Sequence, residues 1–382
     1  MEAISRRSFG AWLGAGGVLF VAPWLEGCGQ YPAEEGEAYA PWDFPGDETR
    51  PERVAVAAAL LAASPHNTQP WRFAIRETSV DVYFATERRL GAVDALGREQ
   101  HIGLGCAIEN LMLAAEAHGR SPTLSWLPSP ADPEHVAHIE LTESAPKTPP
   151  LYHAIAHRHT NRGAYLDGKP PGDLEPALGA LVDDADVELT FLGTPEAKSR
   201  FRQGTIAAAH AIVDDQEMWN ASHRWWRQTK ADIEAYRDGM TIDAMGFGDG
   251  LRVLAKLTGA PSAAKAAEYW LDRTEHEQTT GFAFVLLSTT DRASRPQQLR
   301  LGRIFQRIHL WTASQGLALQ PLNQLPERQD REEQLSLAPR FGPLLAELSG
   351  RASSTVQMCF RIGVEWDPAK KSPRRPLGWV VQ

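Results

Sequence analysis

A polar turn between an alanine-rich stretch and a strand-like stretch carries side chains suited to ligand binding. It spans residues 64–73, with the sequence SPHNTQPWRF. Ser64, Asn67, Thr68 and Gln69 place hydroxyl and amide groups within one turn, and two prolines restrict its backbone. Such a set matches a planar heterocycle whose edge alternates hydrogen-bond donors and acceptors. The alternative is a rigid helix-to-strand turn that binds nothing.

Two arginine-rich segments supply further candidates for binding. The first reads Arg158-His159-Thr160-Asn161-Arg162, and its arginines share one face if the segment is helical. Together with the Thr160 hydroxyl and the Asn161 amide, they are suited to grip a phosphate or the pyrimidine edge of a flavin. A solvated basic helix end is the alternative. The second segment, residues 372–376 (SPRRP), is typical of a surface tail when taken alone.

Three histidines near the first arginine segment raise the question of a metal site. His153 and His157 have the i, i+4 spacing of ligands on a helix, and His159 follows them. No nearby cysteine or acidic residue completes a ligand set, and the adjacent arginines would repel a cation. We therefore predict no metal site.

The turn at residues 64–73 resembles a segment of the nitroreductase family of FMN-dependent oxidoreductases. Members of this family commonly carry Pro-Ser-x-x-Asn-x-Gln-Pro-Trp after an alanine-rich helix. The matching residues are Asn67, Gln69, Pro70 and Trp71. The stretch 104–113 is similar to the central helix of the family, and the resemblance covers most of residues 50–382. The Arg-x-Thr-Asn-Arg segment particularly resembles the Acg-like, fused branch.

The resemblance implies FMN as the cofactor and is compatible with NAD(P)H as the electron donor. The family binds FMN with an arginine-rich segment and closes a C-terminal basic segment over the phosphate. The residues that this implies in cofactor binding are Ser64, Asn67, Thr68, Gln69, Trp71, Arg158, Thr160, Asn161, Arg162, Arg374 and Arg375. No catalytic side chain is predicted, because the flavin carries the redox chemistry.

Two helical stretches repeat one another almost 200 residues apart. One begins at Leu104-Gly105 and the other at Leu301-Gly302. A second glycine follows the first after 14 residues in each stretch, Gly119 in the first and Gly316 in the second. Strand-like stretches flank both helices, at 80–84, 123–127 and 136–141 in the first half and at 282–288, 317–322 and 357–364 in the second. This repeat predicts an internally duplicated α+β fold of the nitroreductase type.

The candidate segments are divided between the two halves, residues 53–147 and 148–382. The polar turn occurs only in the first half and the arginine segments only in the second. Because family members are typically homodimers with flavin sites at the interface, we predict a monomer that mimics such a dimer around one flavin. Residues 214–280 are rich in aromatic side chains and lack a counterpart in the first half. Core packing is the default interpretation for them, and a lid over the flavin is the sharper one.

The first 29 residues resemble a twin-arginine export signal. Arg6 and Arg7 precede an uncharged run that is shorter than the ~20 residues of a comfortable bilayer span. This predicts recognition by the twin-arginine export machinery and a location in the periplasm or cell envelope. The sequence before Cys28 resembles a lipoprotein processing box, so a lipid anchor is an option. Residues 30–52 are predicted to be an exposed linker.

The composition limits the classes of function. A chain of 382 residues with a net charge of −9 is long enough for a sizeable core and is unsuited to non-specific nucleic-acid binding. Three scattered cysteines do not form a disulfide framework. The leading hypothesis is an oxidoreductase that passes hydride or electrons from a reduced donor through FMN to a nitroaromatic or quinone-type acceptor. One alternative is a non-catalytic FMN-sequestering protein of the cell envelope, because export separates the chain from NADH and NADPH. The other is a structural envelope protein without flavin.

Overall fold

The computed structural model describes residues 32–166, 168–259 and 261–382, so the predicted signal with Cys28 lies outside the described residues. Within these ranges the fold is α+β. The α-helices are α1 (Pro51–Leu60), α2 (Arg98–Ala117), α3 (Leu174–Gly179), α4 (Pro195–Asp214), α5 (Gln216–His223), α6 (Lys230–Tyr236), α7 (Asp249–Thr258), α8 (Ala263–Arg273), α9 (Arg295–Ser314), α10 (Gln324–Leu335), α11 (Phe341–Ser349) and α12 (Leu377–Val380). The strands are β1 (Trp71–Arg76), β2 (Ser79–Phe84), β3 (Arg120–Trp126), β4 (His135–Glu143), β5 (Val187–Leu192), β6 (Trp226–Arg227), β7 (Met240–Thr241), β8 (Ala283–Thr289), β9 (Ala318–Pro321) and β10 (Val356–Gly363). Across the described ranges, none of the helices has both the length and the apolar character needed to cross a membrane.

Two antiparallel four-stranded sheets organise the chain. The first has the strand order β1-β2-β4-β3 and the second β5-β8-β10-β9. The predicted succession of strand, long helix, strand and strand is confirmed as β2-α2-β3-β4 and as β8-α9-β9-β10, with α10 and α11 inserted before β10. Sequence analysis did not predict β5, an edge strand whose central residues are only half-buried. If β1 corresponds to β5 and β2 to β8, the two strand orders are the same.

Helices α2 and α9 cross at a pair of glycines. A Cβ atom on Gly105 would lie 2.1 Å from the carbonyl oxygen of Leu299, and one on Gly302 would lie 2.2 Å from that of Ile102. Neither position has room for a side chain, so the two helix backbones touch directly. Both helices begin six residues before the predicted Leu-Gly pairs, at Arg98 and Arg295.

The chain after β10 returns from the second sheet to the edge of the first. Val381 pairs in parallel with Phe73 on β1, and the backbone N–H of Gln382 donates to the Phe73 carbonyl at 2.9 Å. The buried side chain of Val380 joins the core that both sheets share. The C-terminal segment therefore covers the edge strand β1, which would otherwise expose unpaired backbone groups.

Part of the predicted exposed linker is packed against this returning segment. Ala38, Tyr39 and Trp42 are buried, and the indole N–H of Trp42 donates to the carbonyl of Ser372 at 2.8 Å. The backbone N–H of Arg374 donates to the Ala38 carbonyl at 2.7 Å. The prediction of an exposed linker is therefore wrong for Ala38, Tyr39 and Trp42, because burying two aromatic side chains is more favourable than exposing them.

Residues 214–280 form a separate layer of short elements. They comprise α5 to α8, the two-stranded parallel pair β6-β7 and a π-helical turn at Thr274–Gln278. The indole of Trp219 lies 5.9 Å from that of Trp270, which joins the first and last helices of the layer.

Candidate functional site

A cavity of about 190 Å³ lies where the polar turn, α2, the start of α10 and the 214–280 layer meet. Ser64, Thr160 and Arg162, all predicted site residues, line it. The half-buried guanidinium of Arg162 donates to the carbonyl of Ala244 at 3.3 Å. The cavity is thus bounded by both halves of the chain, and the structure brings the first turn and the first arginine segment together.

The polar turn has an unusual backbone. His66, Asn67 and Gln69 have φ angles of 49°, 53° and 51°, in the left-handed region that non-glycine residues rarely adopt. The Ser64 hydroxyl stabilises this conformation by accepting the backbone N–H of Gln69 at 3.1 Å. Strained backbone of this kind tends to persist at sites with a function, where the surroundings fix it.

The amides of this turn bind other parts of the chain. Asn67 Nδ2 donates to the carbonyls of Gly239 and Pro373, at 3.1 and 2.9 Å. Gln69 Nε2 donates to the carbonyl of Arg237 at 2.9 Å, and its Oε1 accepts the backbone N–H of Arg375 at 2.8 Å. Both side chains thereby fix the C-terminal segment and the 214–280 layer, and neither lines the cavity.

Three further predicted residues are buried away from the cavity surface. Thr68 and Trp71 are fully buried, and Trp71 lies in the core shared by the two sheets. Asn161 Nδ2 donates to Glu365 Oε2 at 2.5 Å and to the Asp367 carbonyl at 2.8 Å, which fixes the chain that follows β10. In the structure these three residues contact protein groups, so a direct role in ligand binding stays a prediction.

Arg158, Arg162 and Arg374 form a cluster of positive charge. Arg158 and Arg374 are buried; Arg158 Nη2 donates to the Leu61 carbonyl at 3.1 Å, and its Nη1 lies 3.3 Å from His309 Nδ1. The Nε atoms of Arg158 and Arg374 are buried without a hydrogen-bond partner. In the described part of the chain, no carboxylate forms an ion pair with any of the three arginines.

The environment of the cluster disfavours further positive charge. Burial and the neighbouring charges of Arg158 and Arg162 hold the pKa of Arg374 well below its ordinary value, and burial lowers the pKa of Arg158 to about 10. Burial, followed by the charges of Arg158 and Arg374, lowers the pKa of His159 to about 3. A bound anion would relieve this repulsion and satisfy the unpartnered Nε atoms.

The side chain of Arg375 points away from the arginine cluster. Its guanidinium donates to the carbonyls of Trp379 at 2.9 Å and Gln69 at 3.4 Å. Burial, followed by the charge of Arg88, lowers its pKa to about 10. Of the two adjacent arginines in this segment, Arg374 alone joins the cluster.

Sequence analysis missed the carboxyl side of the cavity. Glu99 at the start of α2 and Glu327 on α10 both line it, together with Gln324. Nine consecutive residues of α10, 324–332, are buried although most are polar or charged. Their composition is typical of an exposed helix, so the sequence offered no sign of this site.

The 214–280 layer supplies the remaining wall. The side chains of the layer that line the cavity include Trp219, Trp226, Met245 and Trp270. The last three also line a second cavity of about 230 Å³ inside the layer. The second cavity is bounded largely by aromatic and aliphatic side chains, which suits a planar apolar molecule.

Comparison with known proteins relates the chain to nitroreductases. A Mycobacterium tuberculosis protein named "Putative NAD(P)H nitroreductase acg" is 26% identical over 344 residues, covering 86% of this chain and 94% of that protein. A second protein of the same organism with the same description is 26% identical over 356 residues, covering 89% and 92%. No family model matches the chain.

Solved structures give a more distant likeness. The FMN-dependent nitroreductase NfnB from Mycobacterium smegmatis in complex with NADPH has a TM-score of 0.37 and 16% identity, covering 60% of this chain and 96% of that one. A nitroreductase with bound FMN from Desulfitobacterium hafniense has a TM-score of 0.35 and 10% identity, covering 59% and 93%. Both TM-scores are too low to establish a common fold.

Proposed function

We propose that the chain is an FMN-binding oxidoreductase of the nitroreductase type. The observation that carries the proposal is the arginine cluster beside the cavity, because buried guanidinium groups without carboxylate partners fit a phosphate monoester. The similarity to NAD(P)H nitroreductases of M. tuberculosis supports the same class. When bound, FMN would supply hydride and electron transfer.

Residues from both halves would hold the cofactor. Arg158 and Arg374 would bind the phosphate through their unpartnered Nε groups. Arg162 and Thr160, which line the cavity, would face the ring system, and the positive charge of Arg162 would stabilise negative charge on the reduced ring. Asn67 and Gln69 would act by holding Arg374 and the C-terminal segment in place.

We infer that one chain provides one flavin site by mimicking a dimer. The matched strand orders and the reciprocal contact of Gly105 with Gly302 support an internal duplication. The arginine cluster and the polar turn occur once each, so flavin quantitation on purified protein should give one FMN per chain. Two FMN per chain would contradict this.

The 214–280 layer would act as a lid that selects the acceptor. Its aromatic side chains form a wall of the first cavity and enclose the second, so planar molecules such as nitroaromatics or quinones are the expected acceptors. NAD(P)H would be the donor. The covering layer also favours a second function, a carrier that binds FMN without turnover.

One experiment distinguishes these functions. The purified protein is examined for a flavin spectrum and then mixed with NADPH, with and without a nitroaromatic compound. Flavin that is reduced and reoxidised supports the enzyme, and bound flavin that stays oxidised supports the carrier. A colourless protein that does not bind added FMN would contradict both.

Export is a further part of the proposal. The supporting feature is the Arg6-Arg7 pair, in residues that the structure does not describe. Cell fractionation should find the wild-type protein in the periplasm or envelope and the R6K/R7K double variant in the cytoplasm. Equal distribution of the two proteins would contradict twin-arginine export, and lipid labelling that depends on Cys28 would identify an anchor.

A further inference from the structure

Six ionisable side chains are buried, or nearly so, where α2 meets α10. They are the carboxyl groups of Asp94, Glu99, Glu327 and Asp330 and the guanidinium groups of Arg98 and Arg292. Full ionisation would give two positive and four negative charges, a net charge of −2. An unpaired buried charge is strongly unfavourable, so such a cluster retains protons.

Two of the carboxyl groups have direct partners that stabilise their anions, although burial raises the pKa of Asp94 to about 6. Asp330 lies 2.8 Å from Arg98 Nε and 2.5 Å from Arg292 Nη2. Asp94 accepts the backbone N–H groups of Glu99 and Gln100, both at 3.1 Å, at the N-terminus of α2. A retained proton is therefore expected on one of the remaining two carboxyl groups, those of Glu99 and Glu327.

Glu99 and Glu327 are both buried and both line the cavity. The negative charge of Glu99 disfavours a second charge on Glu327, so one of the two carboxyl groups retains a proton. Arg98 Nη2 lies 3.2 Å from Glu99, whereas Glu327 forms no ion pair in the described part of the chain, so the charge belongs on Glu99 and the proton on Glu327. Burial raises the pKa of Glu99 to about 7 and that of Glu327 well above its ordinary value.

A third polar group on the same wall lacks a partner. Gln324, one turn before Glu327 on α10, lines the cavity and is 7% exposed. Its Oε1 atom is buried and accepts no hydrogen bond from the described residues. Leaving a buried acceptor unsatisfied is costly, so this wall is suited to a ligand that brings a donor.

We propose that Glu327, buried beside Glu99 without an arginine partner, is protonated and donates its proton to the electron acceptor bound in the cavity. The inference rests on the proposed function. A quinone that receives hydride, originating from NAD(P)H, becomes an anion on oxygen. The O–H bond of Glu327 then breaks and an O–H bond forms on the quinone, giving the hydroquinone. A solvent proton restores Glu327, so NAD(P)H, quinone and one proton give NAD(P)⁺ and hydroquinone.

The proton affinity of the Glu99 and Glu327 carboxyl groups depends on the charged groups around them. The titratable and charged groups that face this pair are Asp94, Arg98, Arg292, Asp330 and Cys359, with His66 and Arg162 on other walls of the cavity. The positive groups favour the carboxylate form and the acids favour the protonated form. Because the four carboxyl groups of the cluster, the pair included, outnumber its two arginines, a proton should be retained at neutral pH.

The first test needs neither flavin nor turnover. An infrared pH titration of the full-length protein without added FMN should show a protonated carboxyl band that persists to neutral pH and is lost in Glu327→Gln. The control is Glu333→Gln, which makes the same change on α10 at a half-exposed side chain outside the cavity. Absence of the band in the wild type, or its persistence in Glu327→Gln, would overturn the proposal.

The second test measures the role of the proton. Rapid mixing of the NADPH-reduced, FMN-loaded protein with a quinone should give a reoxidation rate that falls as pH rises through the titration of the pair. Glu327→Gln should lower this rate about 100-fold, within the range typical of general acids, and abolish the pH dependence. Reduction by NADPH and FMN affinity should stay unchanged.

Two other outcomes have distinct meanings. Unchanged reoxidation in Glu327→Gln would overturn the proton-donor role while leaving the oxidoreductase proposal intact. A protein that keeps the carboxyl band but binds no FMN would overturn the proposed function and the donor role with it.

Discussion

The buried arginines are the residues whose positions are hardest to explain by stability alone. Arg158 and Arg374 lose hydration on folding, and no carboxylate among the described residues compensates for that loss. Arg98, by contrast, is equally buried but contacts both Asp330 and Glu99. Leaving a buried charge without its counter-charge is strongly destabilising, so buried arginines that lack a carboxylate partner indicate an anionic ligand.

Replacing Arg374 should weaken FMN binding far more than replacing its neighbour. Arg374→Ala removes a charged hydrogen-bond donor worth ~1.5–3 kcal/mol, so the FMN dissociation constant should rise about 10- to 100-fold. Arg375→Ala, the matched control, should change it less than about threefold, because that side chain points to Trp379 and Gln69. Flavin fluorescence titration measures both. Equal losses in the two variants would contradict the assignment of the phosphate site.

The buried histidines should make the protein less stable in mild acid. Burial lowers the pKa of His66 to about 4 and that of His159 to about 3, whereas an unfolded histidine titrates near 6.5. The unfolded state therefore takes up protons first, and stability falls as pH drops from about 6.5 towards 4.

Urea unfolding between pH 7 and pH 4.5 measures this loss. His159→Gln should reduce the loss of unfolding free energy between pH 7 and pH 4.5 by ~1–3 kcal/mol. His153→Gln, at an exposed site, should leave this loss unchanged. A wild-type protein whose unfolding free energy is constant over this range would refute the prediction.

The helix pair α2–α9 is the element on which both sheets depend. Apolar residues of both helices join strands of both sheets in one core cluster. The direct backbone contact at Gly105 and Gly302 allows this approach, and it places Glu99 at the cavity. Helix α10 contributes the adjoining part of this wall, and its buried charged residues pair with Arg98 on α2 and with Asp215 between α4 and α5.

A methyl group at the helix crossing should be poorly tolerated. Gly105→Ala would place Cβ 2.1 Å from the Leu299 carbonyl oxygen, so the helices must separate, at a cost of ~1–3 kcal/mol or more. Gly250→Ala on α7 is the control, because its Cβ meets no atom within 4 Å and alanine favours a helix. Thermal unfolding should show a clear loss for the first and none for the second. Equal melting temperatures for Gly105→Ala and the wild type would show that the crossing adjusts freely.

At the scale of the whole molecule, both halves contribute side chains to one core cluster and to the walls of the first cavity. The first half supplies the polar turn, and the second half supplies the arginines. The C-terminal segment also pairs with β1 of the first half, through Val381 and Phe73. The core cluster includes residues of both halves, such as Ile108 and Phe305. Separation would expose this shared apolar surface to water.

Cutting the chain between residues 147 and 148 should therefore destroy both halves. The fragments expressed separately should be insoluble or lack cooperative unfolding, and neither should bind FMN. The intact chain should unfold in a single transition by circular dichroism and by tryptophan fluorescence. Independent folding of the 53–147 fragment would contradict a shared core.

The local pattern of helices, strands and turns could be predicted from neighbouring residues in the sequence. Apolar periodicity and turn residues located α2, α9 and six strands, and Gly119 and Gly316 end their helices in the left-handed conformation, as predicted. The arginine segments could be recognised because their arginines lie within a few positions of one another and of prolines or polar residues. These features depend on neighbours in sequence, so they can be inferred without a fold.

Which groups face the cavity depends on contacts between distant segments, which local sequence patterns do not predict. The amides of Asn67 and Gln69 bind segments about 170 and 306 residues away, Arg374 points inward while Arg375 does not, and Glu327 is buried within a helix of exposed-looking composition. Burial and charge partners of this kind arise from contacts between distant segments. The same polar sequence suits a solvated surface or a buried ionic cluster, and packing alone distinguishes them.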